Sequence, residues 1–503
     1  MNKLSTLALT VGFAIAASAQ ASPFFTDSTL DLKWRVNYYD IEGEGAKSQI
    51  PVSLGEVVAL KPELAAMIPD PSMLAMQMQA DLVNDMSIND FGTAAWLNWH
   101  SGWLANVFAV EVEYQGAAIF DQSGQFSSTY SAEIPGMGLA TDTLSMDNPY
   151  FYRPDSDASY VGKLGNANAR LRVGDDKSNT QLVVGRMTPT IYNLLHRPDT
   201  IYYALHQVYE GLSLQGDYPL WGGFIQPWAS YYTGFSSEYN EQTINFKDDL
   251  DPNYSANGLN TYLNGSYDAI INVGFHTETD YFTSSASFSY AEDYLSNGII
   301  EVYSGIPYSL FGIGDSEYDK DHFIKYMGKV GYEQGKGVNS EHKTDVWEVA
   351  AGLQHGGLDF LLGMTQIGDQ KFAGFETQGS EKAGGGTAVW GDMAILNRFD
   401  LPGQRTYFLV GGYNFEAFGM PGWRVQGVVA NANGTDLNEL ALMDRVLSPN
   451  EDYTEYNIDF MYTDSGYQGD GMSYVLKIGK DTNFNAFGFG LFVEYNGDLT
   501  NLF

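Results

Sequence analysis

The chain has no cysteine in 503 residues. That removes disulfides, cysteine-ligated zinc and cysteine nucleophiles together, so the fold rests on backbone ladders and packing. It also lacks any stretch of the roughly 18 apolar residues that a spanning helix needs, which excludes a helical membrane protein. Basic residues are scarce, 26 Lys and Arg against 62 Asp and Glu, for a net charge of −36. Nucleic acid is not a partner expected at that charge. Catalytic signatures are missing as well. The seven histidines are scattered, with no HExxH and no GxSxG. Asp249, Asp251 and Asn253 begin like a calcium loop, but Tyr254 stands at the required glycine and Asn260 at the required glutamate. No metal or cofactor is expected.

What is present is aromatic and glycine-rich: 34 Tyr, 29 Phe, 9 Trp and 55 Gly. Strand interiors and interface girdles use the first three; tight turns and crowded walls use glycine. Residues 1–21 read as a signal peptide. Lys3 is the basic start, Leu4 to Ala17 is apolar and small, and Ala19-Gln20-Ala21 offers a small-x-small cleavage site. The mature chain, 22–503, carries one more negative charge once Lys3 is gone, and reads as a single domain. Its acidity either solvates loops or makes a pore mouth that favours cations.

Period-two alternation dominates that domain. Leu30, Leu32, Trp34, Val36 and Tyr38 oppose Asp31, Lys33, Arg35 and Asn37; Ala169, Leu171 and Val173 oppose Arg170 and Arg172. One apolar face per strand is the mark of a half-buried strand. A soluble sandwich would alternate in the same way. Three features favour a transmembrane β-barrel: apolar faces end in Trp or Tyr, connections alternate short and long, and the chain stops on Phe503 with an apolar final strand. Strands are expected over 28–40, 92–101, 103–116, 166–175, 179–187, 209–217, 222–235, 267–276, 281–291, 323–334, 343–354, 358–367, 404–416, 422–431, 453–463, 471–480 and 486–503. Such barrels carry an even number of strands. Parity therefore demands one more, which counting from both ends places at 299–311, giving 18. External connections are then 41–91, 117–165, 188–208, 236–266, 368–403 and 432–452. In the first, Met67, Met73, Met76, Met78 and Met86 with Leu74 and Leu82 suggest a short amphipathic helix.

Arg35, Arg170, Arg172, Arg186, Arg405 and Arg424 fall on polar faces, as do Lys325 and Lys329. A lipid-facing arginine costs about 2–4 kcal/mol at mid-membrane, so these are expected in the lumen, either lining the pore or neutralising neighbouring carboxylates. Tyr202, Tyr203, Trp221 and Trp228 are candidates for a stacking track for sugars or for girdle positions.

Two stretches resemble the OprD-type outer-membrane porins, the family that includes chitoporins. The first is Ala169 to Tyr218, with a strand–turn–strand, Thr188-Pro189 opening a long loop, and Glu210-Gly211-Leu212 starting the next strand. The second is Gly384-Gly385-Gly386-Thr387 followed by AILNRFDLPG at Ala394 to Gly403. The mature start, PFFTDSTLDLKWRVNYYD, looks like the family's first strand, whereas the long 41–91 insertion departs from it. The resemblance implies an 18-stranded barrel whose third external loop, here Met187 to Gln207, folds inward as a constriction, with basic side chains on one wall facing acids. By that analogy Tyr192, His196, Arg197, Asp199, Tyr202, Tyr203 and His206 ring the narrowest point. The terminal Phe503 resembles the signal read by the barrel-insertion machinery. The function implied is passive diffusion of small hydrophilic nutrients, oligosaccharides first and cationic amino acids or peptides second. A barrel enzyme or an adhesin is the reading of another class. Other expected partners are outer-membrane lipid and lipopolysaccharide, with a homotrimer the candidate assembly.

Overall fold

The computed structural model describes residues 23–61, 68, 70–134, 138–147, 160–189, 205, 208–236, 244–245, 267–279, 282–314, 321–370, 401–440, 445, 450–464 and 471–500. After a single helical turn, α1 (Pro23–Thr26), the chain is almost all strand: β1 (Thr29–Ser53), β2 (Gln77–His100), β3 (Phe108–Ile134), β4 (Gly138–Asp147), β5 (Tyr160–Gly174), β6 (Asn179–Met187), β7 (Val208–Leu220), β8 (Gly223–Ser236), β9 (Ile244–Asn245) and β10 (Ile270–Glu278). There follow β11 (Phe282–Ala291), β12 (Leu295–Pro307), β13 (His322–Gly335), β14 (Lys343–His355), β15 (Leu358–Ile367), β16 (Arg405–Asn414), β17 (Trp423–Asn433), β18 (Tyr453–Thr463), β19 (Gly471–Asp481) and β20 (Ala486–Asp498).

Each strand pairs antiparallel with the next, except where β3 passes from β4 to β5 and where β8 passes from β9 to β10. The ladder closes where β1 meets β20, with Arg35 opposite Glu494. Setting aside the short flanking strands β4 and β9, the closed wall has 18 strands. Closure leaves no open edge, which answers the lack of disulfides. The strand that parity demanded is present as β12, somewhat earlier than 299–311, and a 3-10 turn takes over at Tyr308–Phe311.

Sidedness is inverted relative to a soluble protein. Leu97, Leu171, Val184, Leu212, Ile271 and Ile458 lie on the outer face and are exposed, whereas Arg35, Asn37, Glu111, Lys163, Glu348 and Asp459 are buried on the inner face. An apolar belt around a polar interior is the pattern of a barrel in lipid. The belt is rimmed by aromatics. Tyr38 neighbours Phe91 and Phe489 at one edge, and Tyr462 neighbours Trp423 and Tyr474 at the other. No helix among the described residues could cross a membrane; the strands do so.

The expectation of a looped insertion over 41–91 is corrected. β1 runs on to Ser53 and β2 begins at Gln77, paired from Ser53↔Gln77 to Thr29↔His100. Only 54–76 connects them. Helical turns are present there, α2 (Leu54–Leu60) and a 3-10 turn at Pro71–Ala75 that holds Met73 and Leu74. Met67 lies outside the described residues, and Met78, Leu82 and Met86 share one face of β2. Their even spacing fits period two, and the long partner β1 resolves it as a strand. β3 likewise runs to Ile134 and pairs with β4, so the connection expected over 117–165 is largely sheet. The four strands β1 to β4 thus rise beyond the belt.

The inner face of this extension is apolar. Ile41, Ile50, Ala80, Leu82, Ile88 and Ala132 pack with Val57 of α2, with Leu401, with Leu437 and Leu440 of the β17–β18 connection, and with Phe484 of the β19–β20 turn. Because this is the lumen side of β1 and β2, reaching loops several strands away makes the extension lean over the mouth as a roof.

Candidate functional site: the lumen

Alternation aims Lys33, Arg35, Asn37 and Tyr39 of β1 inward. Arg35 is fully buried, and its Nε and Nη2 donate to Glu494 Oε2 at 3.0 and 2.5 Å. Lys33 Nζ lies 3.5 Å from the same oxygen, and both cations sit 5.3 Å from the centroid of Trp96 on β2. A ring face attracts a cation placed that way.

Glu111 on β3 is a second hub. It pairs with Arg170, and its oxygens accept from Asn98 at 3.2 Å, Asn166 at 2.9 Å and Asn168 at 3.2 Å. Arg186 departs from the expectation of a lumen position. Val183 and Met187 take the inner face of β6, so Arg186 turns outward with Val184 at the end of the strand beyond the belt, donating to Glu210 Oε1 at 2.8 Å and to the Leu164 carbonyl at 2.7 Å. Arg172 is also on the inner face but at the far rim. It donates to Asp176 Oδ1 at 2.6 Å and covers Trp103 at 4.0 Å, fixing the β5–β6 turn.

Across the lumen, Asp359 on β15 accepts from Lys325 at 2.7 Å and from Arg424 at 3.1 Å. Lys329 lies 3.5 Å from Glu301, and Lys477 donates to Asp459 at 3.0 Å. The cations named here thus sit beside carboxylates, so the wall carries short-range dipoles around much of its circumference. Arg405 departs from the expectation of a lumen position. It lies on the outer face with Tyr407 and Leu409, donating to Gln366 Oε1 at 2.8 Å. It is the first residue of β16, at the end of the strand beyond the belt, where an outward cation meets water and headgroups instead of hydrocarbon.

Between these charged sectors, the middle of the inner face of β7, β8, β10 and β11 is lined by uncharged polar groups. Ser213 and Ser230 share a hydrogen bond of 2.7 Å, Trp228 Nε1 donates to Asn272 Oδ1 at 2.6 Å, and Asn272 Nδ2 donates to Ser287 and Ser289. With its N–H committed and its ring buried, Trp228 is a wall residue and not a stacking platform. Trp221 sits on the tight β7–β8 turn, where it and Gly222 both have positive φ, 39° and 82°. That is the two-residue turn suited to a twisted hairpin, and it places Trp221 at the rim.

Of the loop expected over 187–207, Leu205 is described near the end, and it is buried against Tyr39, Ala94, Trp96, Val161 and Phe492. These are inner-face residues of β1, β2, β5 and β20, so Leu205 lies inside the barrel. Tyr192, His196, Arg197, Asp199, Tyr202, Tyr203 and His206 lie outside the described residues, as do Gly384–Gly386, Phe503 and the segment 1–21. The acids Glu494, Glu111, Glu210 and Asp359 were not singled out from sequence. Glu494 and Glu210 stand directly opposite Arg35 and Arg186, whereas Glu111 and Asp359 stand opposite Asn168 and Gly412, so pairing register and not strand pattern identifies them.

No protein-family model and no curated protein matches the chain. Solved structures do. The Pseudomonas aeruginosa porin OpdK, solved with vanillate, aligns with a TM-score of 0.59 at 14% identity, over 94% of this chain and all of its own. OccK2 (OpdF) of the same organism, in complex with glucuronate, aligns at 0.58 and 13%, over 96% and 99%. OccK9 (OpdG), also from that organism, aligns at 0.62 and 13%, over 95% and 100%. The chain has the closed β-barrel fold of the OprD/Occ porins.

Proposed function

We propose that this barrel is a passive channel for small hydrophilic solutes. The observation that carries the reading is a polar, charge-paired lumen enclosed by an apolar belt. Paired charges solvate an ionic or polar solute without trapping it, because each cation is already partly neutralised. Nothing in this reading requires energy coupling or catalysis.

The solute class follows from which groups keep access to water. Lys33 and Arg170 retain part of their surface and lie on the sector from β1 to β5. This favours small carboxylate-bearing solutes, in keeping with the vanillate and glucuronate of two fold neighbours. Oligosaccharides, favoured on aromatic content, draw no support from Trp221 or Trp228. Single-channel recording in planar bilayers tests both levels. Small carboxylates should block the current at lower concentration than neutral oligosaccharides or lysine peptides. The reverse order would remove the carboxylate reading, and absence of conductance from a correctly folded barrel would remove the channel reading.

A further inference from the structure

Besides apolar packing, a buried arginine ties the extramembrane roof to the loops beneath it. Arg445, in the β17–β18 connection, is buried; its Nη1 donates to the Pro51 carbonyl at the tip of β1, and its Nη2 pairs with Glu56 of α2. Glu56 is itself held by a capping box: its carboxylate accepts the Ser53 N–H at 2.7 Å while Ser53 Oγ accepts the Glu56 N–H at 3.2 Å. One guanidinium therefore fixes the tip of a long hairpin to a loop rising from another part of the wall.

The packing under the roof is not uniformly favourable. Asn84 and Ser128, cross-strand neighbours on β2 and β3, are buried on the inner face. Among the described residues, neither the Asn84 amide nor the Ser128 hydroxyl finds a hydrogen-bond partner in the protein. Burying such groups opposes closure, and water would satisfy them on opening. An apolar contact that favours closure, set against buried polar groups that oppose it, is the composition of an element with two accessible positions.

We propose that the β1–β4 extension is a gate over the external mouth and that Arg445 is its latch. The proposal rests on the channel reading and adds its regulation. Release of Arg445 lets the hairpin lift from Leu437 and Leu440, opening the path to the charged lumen below. The groups that set access to the channel are then outside the membrane, distinct from those that line it.

Two measurements on the intact barrel test this, and the cysteine-free chain suits both. In single-channel recordings, Arg445→Ala and Glu56→Gln should lengthen the open dwell time about tenfold, since a hydrogen bond to a charged group contributes roughly 1.5–3 kcal/mol. Arg445→Lys, which keeps the charge, should fall between. Separately, spin labels at Gln79→Cys on the roof and Asn438→Cys on the loop should report a narrow distance distribution that broadens to longer values when Arg445→Ala is added. Unchanged dwell times with an unchanged distribution would overturn the gate. Distances that lengthen while no variant conducts would uphold the moving roof and remove the channel reading beneath it.

Discussion

The two halves of β2 differ in which face is apolar. From Phe91 to Trp99 the outer face is Phe91, Thr93, Ala95, Leu97 and Trp99. From Gln77 to Asn89 the same face is Gln77, Gln79, Asp81, Val83, Asp85, Ser87 and Asn89. The inner face changes the other way, from Trp96, Asn98 and His100 below to Ala80, Leu82, Met86 and Ile88 above. The strand's alternation never slips; only the solvent changes. Below Phe91 the outside is hydrocarbon and the inside carries polar groups. Above it the outside is water and the inside is a roof packed on loops. The β2–β3 ladder shifts register between Phe91 and Gly92, at the same level. The membrane boundary can thus be read from one strand as the point where the apolar face changes sides.

The strongest break of this comparison places the same side chain on the same face at two heights. Leu97→Arg puts a cation into the lipid belt and should lower barrel stability by about 2–4 kcal/mol. Asp81→Arg, also outward but above the belt, should stay within about 0.5 kcal/mol of the parent. Urea unfolding in lipid vesicles measures both, and equal effects would mean that Gln77–Asn89 also faces lipid. Next in size is the inner face. Leu82→Ala removes a buried roof side chain at a cost of about 2 kcal/mol. That loss should be confined to the roof: faster proteolysis of 54–76, with the heat-modifiable barrel band unmoved. Loss of the barrel band itself would show that roof and wall unfold as one unit.

This inversion explains which parts were legible in sequence. Within the belt, alternation alone sufficed. The bounds of β6, β15 and β18 coincide with those expected, at 179–187, 358–367 and 453–463, and β12 followed from parity. Above the belt, the expectation that apolar means lipid stopped the strands too early. Asp40 on the outer face of β1 and Asn89 on that of β2 looked like strand ends, although both strands continue. The methionines looked helical because a helix and a strand share short-range apolar spacings, and only the distant partner strand separates them. The lumen cations Arg35, Arg170, Arg172 and Arg424 were legible from face parity. Arg186 and Arg405 were not lumen residues, because each shares the outer face with apolar neighbours at a strand end beyond the belt, where an outward cation is tolerated. Their carboxylate partners lie on neighbouring strands that are often far apart in sequence. Glu494 is opposite Arg35 only because the barrel closes.

A smaller effect sharpens the contrast between wall and roof from the wall's side. Glu494→Gln removes the carboxylate that pairs with buried Arg35 and with Lys33 beside it. Stability should fall by about 1–2 kcal/mol, and the lumen gains a net positive charge at that level. Reversal potentials in a salt gradient should move toward anions, more clearly in dilute salt, where screening extends over about 10 Å or more. Gate dwell times should stay as in the parent, because Glu494 lies well below Arg445 in the barrel. A change in dwell time without a change in selectivity would reverse the division of labour between wall and roof.

The smallest expected effect is at the tip of the roof, the first turn of α2. Ser53→Ala removes the hydroxyl that accepts the Glu56 N–H and one of the three donors that hold the Glu56 carboxylate in place. Losing such a cap costs about 1 kcal/mol. The backbone N–H of Ser53 remains, so Glu56 keeps part of its position and Arg445 keeps its bond to the Pro51 carbonyl. The latch should therefore weaken and not break. Amide exchange within Leu54–Leu60 should speed up by about fivefold, the factor that roughly 1 kcal/mol allows. Open dwell times should lengthen by less than in Arg445→Ala. Ser53→Asp, which restores a capping acceptor at the helix start but places a second carboxylate beside Glu56, should recover the exchange protection while leaving the dwell time long. If both variants affect exchange and leave gating unchanged, α2 is a rigid cap on the hairpin, and the latch acts through the Pro51 carbonyl alone.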